Sequence, residues 1–355
     1  MSSSEPRRSP VMADVAQLAG VSHQTVSRVL NHHPNVRGET RERVLAAIDK
    51  LGYRRNFAAR ALVTRQTRTL GVVSFDTTLY GPASTIYGIE QAARAAGYFV
   101  SIVSLKTLTA AGVLEAIGFL TDQGVDGIVV VAPQRSSARA LAALTTNLPT
   151  VAVEGGRAGG VPAVSVDQVN GARQAVEHLL ELGHETVWHV SGPTDWLEAE
   201  GRLKGWRKAL TAAGRPIPEP IVGDWSPRSG YEAGQLLADQ PDLTAVFVAN
   251  DQMALGLLRA FAERRILVPE EVSVVGFDDI PEAEFFPPPL TTIHQDFGEV
   301  GRRSIEILLR RIESGDDGGY ERVVVPASLV ARASSGQAPR RRTKAAPRST
   351  GRRSA

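Results

Sequence analysis

The stretch from Asp14 to Asn31 reads DVAQLAGVSHQTVSRVLN, and its spacing predicts two short helices around a sharp turn. Within residues 12–19 the apolar side chains Val15, Leu18 and Ala19 recur at i, i+3, i+4, the period of a helix with one buried stripe. Gly20 supplies the left-handed residue that stops such a helix. Ser22 is placed to accept a hydrogen bond from a backbone N–H near Thr25 and so to cap a second helix, running from His23 to about Asn31. That helix turns Val26, Val29 and Leu30 to one side and His23, Gln24, Ser27 and Arg28 to the other. Helix, glycine turn and helix at this length is the helix-turn-helix arrangement.

The polar side of the second helix suits DNA. Gln pairs in a bidentate way with an adenine edge and Arg with guanine O6/N7, which makes His23, Gln24 and Arg28 candidate base contacts. Ser22, Thr25, Ser27, Asn31 and Thr40 are short donors suited to phosphate oxygens, which fix register without reading sequence. An amphipathic helix with a merely solvated polar face has the same composition, so this pattern alone leaves both readings open. A third helix is expected over about 39–51, with Val44, Leu45 and Ile48 inward and Gly52 as its stop. After Arg54 and Arg55, residues 56–62 can form a helix capped by Asn56. It is too short to hold alone in water, so it is expected to order only against DNA or a partner helix.

Outward from this head, charge is segregated. Residues 1–65 carry a net +6 (11 basic against 5 acidic), residues 66–330 a net −12 (21 against 33) and residues 331–355 a net +8 (8 basic, no acidic). A basic head beside an acidic body points to phosphates as the partner of the head alone. At 355 residues the chain exceeds one ordinary domain, and 43% hydrophobic residues suffice for a sizeable core. The absence of cysteine excludes disulfides, thiolate nucleophiles and Cys-ligated zinc. No apolar run approaches the ~20 residues that span a bilayer. The opening MSSSEPRRSP carries charge and proline where a signal peptide needs an apolar stretch. A cytoplasmic protein with no membrane partner is therefore expected.

The body alternates. Short β-branched runs at 70–73, 99–103, 127–131, 151–153, 187–190, 245–248 and 272–275 are separated by helical stretches that include 84–96, 169–182, 202–213, 229–239 and 251–263. Alternation of this kind implies parallel sheets, and so many strands imply two doubly wound lobes. In such sheets ligands bind beyond the carboxyl ends of strands. There the chain places Glu154, Asn250-Asp251 and Asp278-Asp279, acceptors suited to sugar hydroxyls. Trp225 and Phe297 can lie on the apolar face of a sugar ring, and Arg202 can donate two hydrogen bonds to one hydroxyl pair. Taken singly, Asn250 and Asp251 read equally well as helix caps, and Asp278 and Asp279 as turn formers.

The head motif, followed by TRERVLAAIDKLGYRRNFAARAL from Thr40, resembles the headpiece and hinge of the LacI/GalR repressor family. The likeness continues through GDWS (223–226), VANDQMALG (248–256), SVVGFDDI (273–280) and TTIHQDF (291–297), and covers about 11–332. The resemblance implies a helix-turn-helix headpiece and hinge helix followed by a two-lobed α/β core similar to periplasmic sugar-binding proteins. It also implies a homodimeric transcriptional repressor of sugar-utilisation genes, released from a palindromic double-stranded operator by a small sugar or glycoside. Its hinge helices would pair in the minor groove through Asn56, Ala59 and Leu62, with Leu62 as the wedge that kinks the duplex. Effector-contact positions carried over from the family are Arg202, Trp225, Asn250, Asp278, Gln295 and Phe297. The chain departs from the family pattern at Glu154, Glu198, Thr107 and Val166, which keeps a glycoside effector but leaves its identity open. Glu154 and Glu198 are added to the candidate set.

On this reading the chain divides into a disordered 1–10, a headpiece 11–55, a hinge helix and linker 56–65, a core 66–333 and a disordered basic tail 334–355. The first lobe takes about 66–165 and 295–325, the second about 166–294 and 326–333. The tail contains no leucine, so it carries no leucine heptad for tetramer formation. An enzyme is the competing class, since Asp278 with Asp279 or Glu198 with Glu200 can be cast as a glycosidase pair. A hydrolase needs its two carboxyls on opposite sides of the bond, and no nucleophile elbow, phosphate loop or HExxH occurs. The glycines at 155–156 and 159–160 make no dinucleotide fingerprint, and His32-His33 reads as solvated loop. No catalytic residue, metal or cofactor is expected. A transport binding protein would share the core but requires export.

Overall fold

The computed structural model describes residues 10–31, 33–54, 66–75, 78–105, 109–136, 141, 148–154, 160–315 and 321–339, in two units that divide after Thr67. The expected hinge residues Asn56, Ala59 and Leu62 lie outside the described residues, as does Thr107.

Three helices make the first unit: α1 (Met12–Ala19), α2 (His23–Leu30) and α3 (Gly38–Leu51). Gly20 and Gly52 end α1 and α3 at φ 64° and 62°, a conformation glycine adopts without strain. The Ser22 hydroxyl accepts from the Thr25 N–H at 3.1 Å and caps α2. The core joins Val15, Ala16, Ala19, Val26, Val29, Val44, Ala47 and Tyr53. Two expected core positions are corrected here: Leu18 is 44% and Leu45 48% exposed. In so small a bundle the helix axes approach closely, and alanines at the contacts allow this where leucines would hold them apart.

The second unit carries two parallel sheets. The first has six strands: β1 (Thr69–Phe75), β2 (Phe99–Leu105), β3 (Gly127–Val131), β4 (Thr150–Val153), β5 (Ala163–Val166) and β11 (Arg322–Val325), in the order β11-β5-β4-β3-β1-β2. The second has four: β6 (Trp188–Ser191), β7 (Ile221–Val222), β8 (Ala245–Val248) and β9 (Ser273–Val275), in the order β7-β6-β8-β9. An antiparallel pair, β10 (Thr292–Gln295) with β12 (Ala327–Val330), lies beside the second sheet through the Val275–Thr291 bridge. Helices cover both: α4 (Tyr80–Ala95), α5 (Ala110–Asp122) and α10 (Phe297–Ser314) with the first sheet, and α6 (Gln168–Glu181), α7 (Leu197–Ala212), α8 (Pro227–Leu237) and α9 (Asp251–Glu263) with the second.

The chain passes between the sheets three times, at Asp167, Asp296 and Pro326. At two of these the crossing residue begins a helix: Asp167 accepts from the Asn170 N–H (2.9 Å) and Asp296 from the Glu299 N–H (2.8 Å). Such short crossings confine any change of angle between the sheets to a few residues, which is the form of a hinge.

The packed chain also runs further than the expected boundary at 333. Ser334 is fully buried; its hydroxyl donates to the Val274 carbonyl (2.6 Å) and accepts from the Thr291 N–H (2.7 Å). Gly336 pairs with the Ser273 side chain, and Ala338 donates to the Leu182 carbonyl at 2.9 Å. Composition marked this segment as tail, but its hydrogen bonds make it the last layer of the second lobe.

Helices α8 and α9 meet backbone to backbone through Gly230, Gly234 and Gly256. A Cβ at Gly256 would overlap the Pro227 carbonyl oxygen, which cannot rotate away. Gly256→Ala is expected to cost at least about 1 kcal/mol and to lower the core's Tm by about 2–4 °C. A calorimetric Tm equal to wild type would show that the helix pair has room to part.

Candidate functional site

The carboxyl ends of the strands converge on a narrow cleft with about 20 Å3 of free volume. Its floor is a closed ring of four side chains. Arg202, 3% exposed in α7, donates from Nε to Gln168 Oε1 (2.8 Å). Gln168 Nε2 donates to Gln295 Oε1 (2.9 Å), and Gln295 Nε2 donates to Asp278 Oδ1 (2.7 Å). Arg202 Nη2 lies 3.5 Å from the same Oδ1 and closes the ring. Arg202 Nη1 also donates to the Ala249 carbonyl, and the guanidinium lies 4.0 Å from the Phe277 ring centroid. Two of its five N–H groups are thus hydrogen-bonded and Nη2 faces the Asp278 carboxylate.

Local structure explains why these groups are held so firmly. Asp278 follows β9 at φ 115° and its N–H donates to the Ile293 carbonyl (2.9 Å), so its carboxylate stands at the joint between β9 and β10. Only its Oδ1 is bonded; Oδ2 takes no hydrogen bond among the described residues. Burial pushes its carboxyl up to about 7, against the opposing pull of Arg202. Beneath it Asp251 is fully buried, accepting from the Ile280 N–H (2.9 Å) and the Thr292 hydroxyl (2.6 Å). Asp251 therefore braces the loop that carries Asp278 and does not face the cleft.

Six of the eight expected effector residues line this cleft: Glu198, Arg202, Trp225, Asn250, Asp278 and Gln295. Asn250 also caps α9, accepting from the Met253 N–H (2.9 Å), while its amide donates to the Trp225 carbonyl (3.2 Å). Trp225 differs from an open sugar platform. It is held at φ 74°, edge-on to Trp196 with centroids 5.5 Å apart, and only glycine fits beneath its ring, at position 192. Glu154, at φ 59° after β4, accepts the Val166 N–H through Oε1 (2.8 Å) and senses the Glu198 and Arg202 charges. Phe297 stands behind Tyr80, edge to face at 5.9 Å, and lines a neighbouring groove instead.

Sequence reasoning missed Gln168 and, from the first sheet's side, Leu79, Tyr80, Gly81 and Pro82, which begin α4 four residues before its expected start. The signal available was position: these residues follow the carboxyl end of β1. The supposed carboxylate pairs come apart. Asp279 is spent on Arg332 (2.7 Å) and His294 (3.0 Å), and Glu200 pairs with Arg135 (2.7 Å).

In the first unit, His23, Gln24 and Arg28 are exposed on α2, opposite Val26 and Val29. Among the described residues no ion pair involves a residue of this unit. Asn31 reaches the Ser27 hydroxyl at 3.4 Å, and Ser22 and Thr25 hydroxyls are 2.9 Å apart. Thr40 lies half-buried in the first turn of α3. Among the described residues no helix is long and apolar enough to cross a membrane.

Residues 11–56 match the family described as bacterial regulatory proteins, lacI family, and residues 176–335 the periplasmic binding protein-like domain. The chain is 36% identical over 324 residues to the lactose operon repressor of Escherichia coli K12, across 90% of this chain and 89% of that one. Among solved structures, the lac repressor dimer bound to operator and the anti-inducer ONPF aligns with a TM-score of 0.80 at 33% identity, covering 93% of this chain and all of that one. The complex of the transcriptional regulator CelR with cellobiose aligns with a TM-score of 0.68 at 33% identity, covering 92% and 100%.

Proposed function

The chain belongs to the lacI family of bacterial regulatory proteins, and on that premise we propose that it represses sugar-utilisation genes from a palindromic operator and is released by a small sugar or glycoside in the core cleft. The ring of Arg202, Gln168, Gln295 and Asp278 carries this reading. It is a rigid, hydrogen-bonded floor with an unused carboxylate oxygen, the arrangement that hydroxyl-rich ligands need. The similar proteins solved with operator and with cellobiose support both halves of it.

His23, Gln24 and Arg28 read bases; Ser22, Thr25, Ser27, Asn31 and Thr40 hold phosphates. The hinge residues Asn56, Ala59 and Leu62 enter the minor groove of the bound operator. Glu154, Glu198, Arg202, Trp225, Asn250 and Asp278 contact the effector, with Gln295 fixing Asp278 and Phe297 fixing Tyr80. A homodimer fits the edge strand β2, where Phe99 and Ile102 are 58% and 46% exposed, and the dimer solved for the lac repressor. The protein acts in the cytoplasm, where its DNA is, and has no catalytic step; the similar proteins are regulators.

A ligand that touches both sides of the cleft binds its closed form better than its open form, and only that difference can shift the equilibrium. Selection of bound DNA from a random library, followed by gel shifts with a panel of mono- and disaccharides, tests the proposal. A palindromic site released by at least one sugar is expected, with the same sugar raising the core's Tm. An asymmetric site, or no sugar with either effect, would refute it.

A further inference from the structure

The three crossings at Asp167, Asp296 and Pro326 are tied to one another by hydrogen bonds. Backbone ties the first to the third: the Asp167 N–H donates to the Val325 carbonyl at 2.9 Å. The β10–β12 ladder ties the third to the second, with Ala327 opposite Gln295. No backbone hydrogen bond joins the first crossing to the second among the described residues. Two side chains make that link instead. Gln168, the residue after Asp167, donates at 2.9 Å to Gln295, the residue before Asp296.

The same two amides hold the charged groups of the cleft. Gln168 accepts from Arg202 Nε (2.8 Å), and Gln295 donates to Asp278 Oδ1 (2.7 Å). Gln295 lines the cleft, but Gln168 does not; it is 6% exposed and stands behind Arg202. Helix α7 passes so close that a Cβ at Gly201 would lie 2.7 Å from that of Gln168. A buried amide pair adds little stability that a well-packed apolar pair would not. What it adds is a fixed partner and direction for each group of a network. Here the network joins the charged groups of the cleft to the two crossings that lack a backbone tie.

Resting on the reading of the cleft as a sugar site, we propose that Gln168 is a positioning residue that couples the effector to the hinge. Asp278 and Arg202 touch the sugar; Gln168 does not. A sugar that draws on either charged group draws on the amide bonded to it. The pull reaches the first and second crossings where each leaves the second lobe, so the angle between the sheets follows the occupancy of the cleft.

Two measurements on the full chain test this. Calorimetry with glucose, galactose, lactose and cellobiose gives the Kd of each sugar for the free and the operator-bound protein. The ratio of the two is expected to be about 5–150 in the wild type and to fall at least about threefold in Gln168→Met. Affinity lost equally by both forms divides out of this ratio. The second measurement needs no ligand. The chain has no cysteine of its own, so exposed Glu115 on α5 and exposed Lys208 on α7 can be replaced by cysteine and spin-labelled, with labelled chains diluted into unlabelled ones. Gln168→Met is expected to broaden the distribution of distances between the labels. Should Gln168→Met not fold, Gln168→Glu takes its place, since it keeps an acceptor for Arg202 Nε and removes only the donation to Gln295. A ratio equal to wild type would overturn the proposal and leave the sugar-effector reading standing. If none of the sugars binds, that reading falls and the label distances decide: an unchanged distribution then overturns the proposal as well.

Discussion

Asp278→Asn is expected to leave operator binding within about threefold of wild type while raising the sugar needed for release by roughly 10–150-fold. The substitution is chosen for what it preserves. Asn tolerates the positive φ of 115° at this position. Its side-chain oxygen can occupy the place of Oδ1 and keep the bond from Gln295, leaving a neutral contact where the Arg202 ion pair stood. The change at the cleft surface falls on Oδ2, where an acceptor becomes an NH2 donor, and the charge facing Arg202 is lost with it. A sugar hydroxyl that donated to the carboxylate then meets a donor, and a charge-assisted hydrogen bond of about 1.5–3 kcal/mol disappears. Operator binding is read by the other unit and should not feel this. Release depends on the sugar's preference for one cleft geometry, and coupling between two such sites is ordinarily about 1–3 kcal/mol. The expected phenotype is a repressor that binds its operator normally and needs far more sugar for release. Release at the wild-type sugar concentration would show that Asp278 braces the cleft without touching the effector.

The legible parts of this chain were those in which chemistry is local. The runs at 127–131 and 245–248 coincide with β3 and β8, and 251–263 with α9, because β-branched runs and helical periodicity need only a few neighbours. The strands β5, β7, β10, β11 and β12 were not read. β7 has two residues, and β10, Thr-Ile-His-Gln, takes its partner from beyond α10. In the cleft, charged residues at strand ends were visible as candidates, whereas Gln168 was not. Its partner Gln295 is 127 positions away, and a lone glutamine carries no signal of such a pairing. Helix α7 begins at Leu197, five residues before the expected start, so the one-turn relation of Glu198 to Arg202 was hidden. Trp225 was read as a platform for a sugar ring and not as a residue packed against Trp196 over a glycine, since that arrangement depends on tertiary contacts.

Arg28→Ala is expected to weaken binding to the selected operator by about 5–150-fold, and binding to scrambled DNA by far less. The helix that carries Arg28 is anchored from its opposite side by Val26 and Val29, and its cap is Ser22. Alanine is a strong helix former, so α2 should keep its shape and the loss should report on the side chain alone. Arg28 is exposed and has no ion-pair partner among the described residues. Its guanidinium therefore costs the free protein nothing to release, and all its donors are available to a base edge. One turn earlier, Gln24 presents the same side of α2, and Gln24→Ala should relax specificity at a neighbouring base pair. The control is salt. Removing an arginine that holds a phosphate lowers affinity on every sequence and flattens the salt dependence by about one counterion. Removing one that reads a base lowers affinity chiefly on the cognate site. Gel shifts on operator and scrambled duplexes at two salt concentrations separate the cases. Equal losses on both duplexes would make Arg28 a backbone clamp and move sequence reading to other residues of the headpiece.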